Sequence, residues 1–287
     1  MAIARQGFQR LLSRIKPASI LLSKTINVCL FSTAIWLISK PAYAQVSLYP
    51  LVLEETTERG RANTFINVSN SSDQPFRARI TAEPFTYTQE QGFQTLPLNS
   101  EGDLTPYLFF SPNELVVPAN SERRIRMIAQ FPPSAPEGEY RAVILTEPLQ
   151  ARTPEDNHLQ VNIITRVAAT LYVRNGDLSP EIAVESANWD RETQQVQMVV
   201  NNTGEASLRP TANWTLRQAD TIVATGQSAP TAIMPNDKRN FLLTYSEQTA
   251  APIAPGTYEL SGEFVWGDNQ DPQAQAFEVE VYIPGNN

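Results

Sequence analysis

His158 is the only histidine and Cys29 the only cysteine in the chain, a scarcity that removes most of the chemistry a sequence can announce. A Ser-His-Asp relay would have to run through His158, and no Gly-x-Ser-x-Gly elbow presents a nucleophile. Transition-metal sites built from imidazole and thiolate lack a ligand set. Glu54-Glu55 and Glu278/Glu280 could supply paired carboxylates, but they read as solvated strand faces. Gly267-Asp-Asn-Gln-Asp-Pro272 has the oxygen-rich composition of a calcium loop and fits a hairpin turn better. Asn-x-Ser/Thr matches at Asn67, Asn70, Asn201 and Asn213 recur too easily by chance to carry weight. The expectation is a binding protein, not an enzyme, with no cofactor and no metal.

Recognition chemistry is more legible. In Leu159-Gln-Val-Asn-Ile-Ile-Thr-Arg-Val-Ala-Ala-Thr-Leu-Tyr172, the residues Leu159, Val161, Ile163, Thr165 and Val167 share one face if the segment is extended. A polar loop, residues 150–158, leads into it. Such a strand is either an ordinary half-buried sandwich strand or an edge strand that lends its apolar row to a partner.

The elements that would position this row begin after a targeting segment. Arg5, Arg10, Arg14, Lys16 and Lys24 precede the apolar run Ile26–Ile38, and Ala42 and Ala44 occupy the small-residue positions of a cleavage site. Residues 1–44 therefore read as a signal peptide cleaved after Ala44. The apolar run is short for a membrane span, and bulky Val28 argues against a lipid anchor on Cys29. Six of the 22 basic residues and none of the 30 acidic ones precede Gln45, so 16 face 30 beyond it, a net charge of −14. That acidity argues against nucleic acid as a partner. An exported chain without cysteine must rely on hydrophobic burial, which about 240 residues can supply as two domains.

A repeat organises those residues. Val68, Asn70 and Arg77 have the spacing of Val200, Asn202 and Arg209. Pro118-Ala-Asn-Ser-Glu-Arg123 and Pro235-Asn-Asp-Lys-Arg239 each introduce an alternating strand. Glu137-Gly-Glu-Tyr140 and Pro255-Gly-Thr-Tyr258 each place a tyrosine after a turn, the pattern of a tyrosine corner. The reading is all-β: two immunoglobulin-like sandwiches around a cleft, residues 45–174 and 181–287, joined by a linker at 175–180. The first copy has an extra segment, about 88–102, expected to be a tolerated surface loop.

Taken together, Val46-Ser-Leu48, Val68-x-Asn70, Phe110-Ser-Pro112, Leu115 through Arg126, Phe131-Pro-Pro133, Tyr140, Glu147-Pro148 and Leu159-Gln-Val-Asn-Ile resemble the periplasmic pilus-assembly chaperones, the PapD-like proteins of the chaperone–usher pathway. The likeness is carried by residues 46–174. It implies a chaperone that caps a pilin-like or spore-coat-like subunit by donating its edge strand. It also implies an outer-membrane usher as a further partner and a self-capped homodimer as a resting form. The family holds its client's carboxylate with an arginine on the first strand and a lysine near the end of the last strand of the first domain. Here Leu48-Tyr-Pro-Leu-Val-Leu53 has no arginine, and the lysine position falls on Ala168 or Thr170. Arg166, on the same face, is the candidate substitute. A cell-envelope adaptor or a surface-structural protein is the other class of function compatible with the pattern.

Overall fold

The computed structural model describes residues 46–149, 166–244, 253–267 and 271–285. Eleven strands come first: β1 (Val46–Tyr49), β2 (Val52–Thr56), β3 (Arg61–Asn70), β4 (Phe76–Glu83), β5 (Phe85–Thr88), β6 (Gly92–Thr95), β7 (Leu108–Ser111), β8 (Glu114–Val117), β9 (Ser121–Gln130), β10 (Gly138–Pro148) and β11 (Val167–Asn175). Two sheets, β1-β3-β9-β7 and β2-β11-β10-β4-β8, face each other, and β5-β6 form a separate hairpin. Seven strands follow: β12 (Ile182–Asp190), β13 (Gln195–Asn202), β14 (Thr211–Gln218), β15 (Thr221–Gln227), β16 (Asp237–Leu243), β17 (Gly256–Gly267) and β18 (Pro272–Ile283). They build the sheets β12-β13-β16 and β15-β14-β17-β18. The architecture is two immunoglobulin-like sandwiches.

Period-two patterning explains the layers. Along β3, Ala62, Ile66 and Val68 are buried while Arg61, Asn63 and Phe65 are exposed. The neighbouring strand β9 buries Ile125, Met127 and Ala129 between outward Arg124, Arg126 and Ile128. These residues form the first core with Leu115, Ile144, Ala169, Leu171 and Val173. Each Val, Leu, Ile or Met among them contributes about 1.5–3 kcal/mol when fully buried. The second core gathers Met198, Val200, Trp214, Phe241, Leu260 and Phe264. Neither cluster takes a residue from between Asn175 and Ile182.

The repeat has a physical basis in two devices. Asn70 ends β3 and is 1 % exposed; its amide donates to the carbonyls of Gln74 (2.8 Å), Val117 (3.1 Å) and Pro118 (3.1 Å). Its Oδ1 accepts from Ser72 N–H at 3.0 Å. Asn202 ends β13 in the same way, donating to Ala206 O (2.9 Å) and Met234 O (3.1 Å) and accepting from Gly204 N–H at 3.0 Å. An asparagine side chain can close a turn on its own backbone and still reach a neighbouring strand's carbonyls. The second device is the tyrosine corner: Tyr140 Oη donates to Pro136 O at 3.0 Å and Tyr258 Oη to Ala254 O at 2.7 Å. Gly138 and Gly256, each two residues earlier, adopt φ of 156° and 155°.

Gly204 marks a local difference. A Cβ there would lie 2.4 Å from Glu181 N and 2.5 Å from Ser179 O, so the connection between the sandwiches lies flat on this turn. Thr203 N–H and Glu205 N–H donate to Glu181 O (2.7 Å) and Ser179 O (3.0 Å). Ser72 fills the matching place in the first sandwich.

The extra segment of the first sandwich is more ordered than expected. It contains β6 and the β5-β6 turn, and this hairpin is built into the contact between the sandwiches. Phe85 is 1 % exposed and clusters with Val143 and Tyr172 from the first sandwich and with Ala232 and Met234 from the second. Arg239 donates to Thr88 O at 2.6 Å, and Gln89 Nε2 to Asn240 Oδ1 at 2.8 Å. The polar Gln-Glu-Gln tip suggested a free loop; the aromatics flanking it, Phe85, Tyr87 and Phe93, supply the apolar surface that holds it down.

Candidate functional site

Strand β11 is held differently along its two halves. On one side it pairs with β10 throughout, from Val167 opposite Thr146 to Asn175 opposite Gly138. On the other side β2 runs parallel to it, but only from Thr170 opposite Val52 to Arg174 opposite Thr56. Over Val167–Ala169 that second edge has no strand partner among the described residues. The cause lies in Tyr49-Pro50-Leu51. Pro50 offers no N–H to a ladder, so the chain leaves β3 at Tyr49 and joins β11 only at Leu51, whose carbonyl accepts Thr170 N–H at 2.8 Å. Tyr49 and Leu51 are 75 % and 54 % exposed, so an apolar lip flanks the open edge.

Of the six residues the sequence singles out, two lie in the described region. Val167 is half-buried against the first core, and Ala169 and Leu171 of the same row lie within it. Arg166 is half-exposed and forms an ion pair with Glu147 at 3.0 Å. Leu159, Val161, Ile163 and Thr165, with His158, fall outside the described residues. Of the two positions for the family's lysine, Ala168 is exposed and Thr170 is buried, in register with Val52 of β2. Uncharged residues thus occupy that neighbourhood, and Val52 packs with Phe85, Tyr172 and Leu145.

The charged chemistry sits lower, where the sandwiches meet. Glu139, with 1 % of its side chain exposed, accepts from Ser207 N–H (2.8 Å) and Ser207 Oγ–H (2.9 Å) across the boundary. Arg174 lies 3.6 Å from the same carboxylate, donates to Ser207 O at 2.8 Å and reaches Glu54 at 3.3 Å. Arg141 pairs with the other Glu139 oxygen at 3.4 Å. Burial pushes the Glu54 carboxyl up from its ordinary value, and Arg174 pulls it back down. Burial likewise pushes the Tyr172 phenol up. The second sandwich adds Arg209, whose guanidinium approaches Tyr172 Oη at 3.5 Å and lies 6.0 Å from the Tyr87 ring. Beside this clamp runs an open groove of about 810 Å³ lined by Val52, Glu54, Arg174, Arg209 and Trp266. Sequence reading passed over Glu139 and Arg174. A signal was present, since Gly138-Glu139-Tyr140-Arg141 puts a carboxylate and a guanidinium on alternate positions just before the apolar run Ala142–Leu145.

Among the described residues no three His, Cys, Asp or Glu side chains converge as a metal site.

No protein-family model matches the chain, and no curated protein sequence matches it. Solved structures of similar fold include a chain of the CsuC–CsuE chaperone–tip adhesion subunit complex from Acinetobacter baumannii, 12% identical with a TM-score of 0.48, covering 83% of this chain and 98% of that one. Another is a chain of the Salmonella enterica SafA pilin–SafB chaperone complex, 11% identical with a TM-score of 0.48, covering 83% and 99%. The class 5 fimbriae chaperone CfaA is 13% identical with a TM-score of 0.47, covering 83% and 99%.

Proposed function

We propose that the protein is an exported chaperone that caps a pilin-like or coat-like subunit by adding the open edge of β11, and the segment before it, to the subunit's unfinished sheet. The observation that carries the reading is that, among the described residues, the edge of β11 over Val167–Ala169 has no second strand partner. Strand addition uses main-chain hydrogen bonds for affinity and alternate side chains for fit. Burying Leu159, Val161 and Ile163 in a client groove would contribute roughly 4–8 kcal/mol before association costs. Among the described residues the first sandwich has sheets of four and five strands and the second of three and four, which favours a donor over a subunit awaiting a neighbour's strand.

In this reading residues 1–44 are removed on export to the periplasm and the domain boundary lies at 175–180. Arg166 exchanges Glu147 for a client carboxylate, and an outer-membrane usher receives the loaded complex. The chain acts by binding and has no catalytic role. Ile163→Asp tests the reading through client co-purification paired with a melting curve. Capture should be lost while the melting temperature stays near wild type; a collapse of stability would make Ile163 a core residue and remove the donor strand.

A further inference from the structure

The outward face of β1-β3-β9-β7 does not suit an isolated monomer. Tyr49, Phe65 and Phe109 stand 75 %, 42 % and 62 % exposed on it. In register across the sheet, Tyr49 meets Asn67 and Arg124, and Phe65 meets Arg126 and Ser111. The Arg124 guanidinium lies 3.9 Å over the Phe65 ring and donates to Asn67 Oδ1 at 3.3 Å, so cation and aromatic are held as one flat surface. Arg61, Arg124 and Arg126 make no ion pair among the described residues. The carboxylates in register on this face, Glu122 and Glu58, sit at its two ends.

The second sandwich presents the opposite surface. On the outward face of β17-β18, Glu259 lies directly opposite Glu280, with Ser261 opposite Glu278 and Glu263 opposite Ala276. All four glutamates are exposed and none is ion-paired among the described residues, although Arg217 of β14 stands in register with Glu259. Like charges opposite one another in a sheet repel, and an external cationic surface relieves them. From Asn175 onward the chain holds 15 acidic and 5 basic residues, so the two faces are segregated by sandwich.

We propose that the partner of the basic aromatic face is a second copy of this chain, whose β17-β18 face docks on it head to tail. The contact is heterologous, because each copy offers two different surfaces, so it builds rings or open chains. It uses neither edge of β11 and is therefore separate from strand donation.

Sedimentation velocity on the full chain tests this. Self-association should appear at low ionic strength and fall steeply when salt rises from about 0.05 M to about 0.5 M. Arg124→Glu/Arg126→Glu and Glu259→Lys/Glu280→Lys should each weaken it by at least about tenfold. Circular dichroism should show both variants folded. Mixing the two variants should restore association, because the intact basic face of one meets the intact acidic face of the other. A wild-type chain that stays monomeric at low salt, association that survives both reversals, or a mixture that fails to associate would overturn the proposal.

Discussion

The two sandwiches share a frame and differ in how their last strands are treated. Asn70 and Asn202 tie the same turn to the same neighbouring strand, and Tyr140 and Tyr258 tie down the same corner. In the second sandwich β18 pairs with β17 along its whole length, from Ile283 opposite Gly256 to Pro272 opposite Gly267. In the first, β11 pairs with β10 as fully but also gains β2 as a parallel partner over Thr170–Arg174, whereas β18 stands at the edge of its sheet. The frame is repeated because it meets backbone hydrogen-bonding needs that any such sandwich has. The last strand diverges because β2 joins β11, while no strand among the described residues joins the outer edge of β18.

Glu139→Ala is expected to have the largest effect, because it strikes where the sandwiches join. It leaves Arg174 and Ser207 N–H without their shared buried acceptor, a loss of about 3–5 kcal/mol. Urea unfolding should then show the sandwiches uncoupled as two transitions, and proteolysis should reach residues 175–180. Next, Asn202→Ala should cost about 2–4 kcal/mol, since the carbonyls of Ala206 and Met234 lose a buried donor. Asn70→Ala should cost a similar amount in the first sandwich. Unequal costs in chemical denaturation would mean that the shared geometry hides unshared energetics.

Val167→Asp sharpens the comparison within β11. Val167 touches the first core, so the charge should lower stability by about 1–3 kcal/mol, whereas Ile163→Asp should leave melting unchanged. Equal melting temperatures for the two variants would dissolve the boundary between core and client-facing residues. The smallest effect is expected at the corners. Tyr258→Phe should cost about 1 kcal/mol and Tyr140→Phe less. Pro136 O keeps a second donor, Asn175 Nδ2 at 3.0 Å, and Tyr140 is the more exposed ring.

Fold class was readable because it depends on local patterns. Period two, Asn at strand ends and Pro-Gly-Tyr turns each state their geometry within a few residues, and the twofold recurrence made the frame doubly visible. The candidate strand was readable as an apolar row for the same reason. Where β2 joins β11 is not local, since Pro50 and Leu51 set it from more than a hundred residues away. The hairpin was misjudged for a related reason: its tip is polar, and its aromatic flanks acquire a partner only when Ala232 and Met234 are brought against them.

By itself, then, the sequence determined the strands and the paired turns, because side-chain alternation and turn chemistry act between near neighbours. Only the tertiary structure decided that Glu139, Arg174 and Ser207 meet, and that uncharged Val52 and Thr170 stand in register. It likewise gathered Arg61 of β3 with Arg124 and Arg126 of β9 onto a single face. Those arrangements depend on register between strands distant in the chain, and the stability of each pairing comes from contacts no single segment contains.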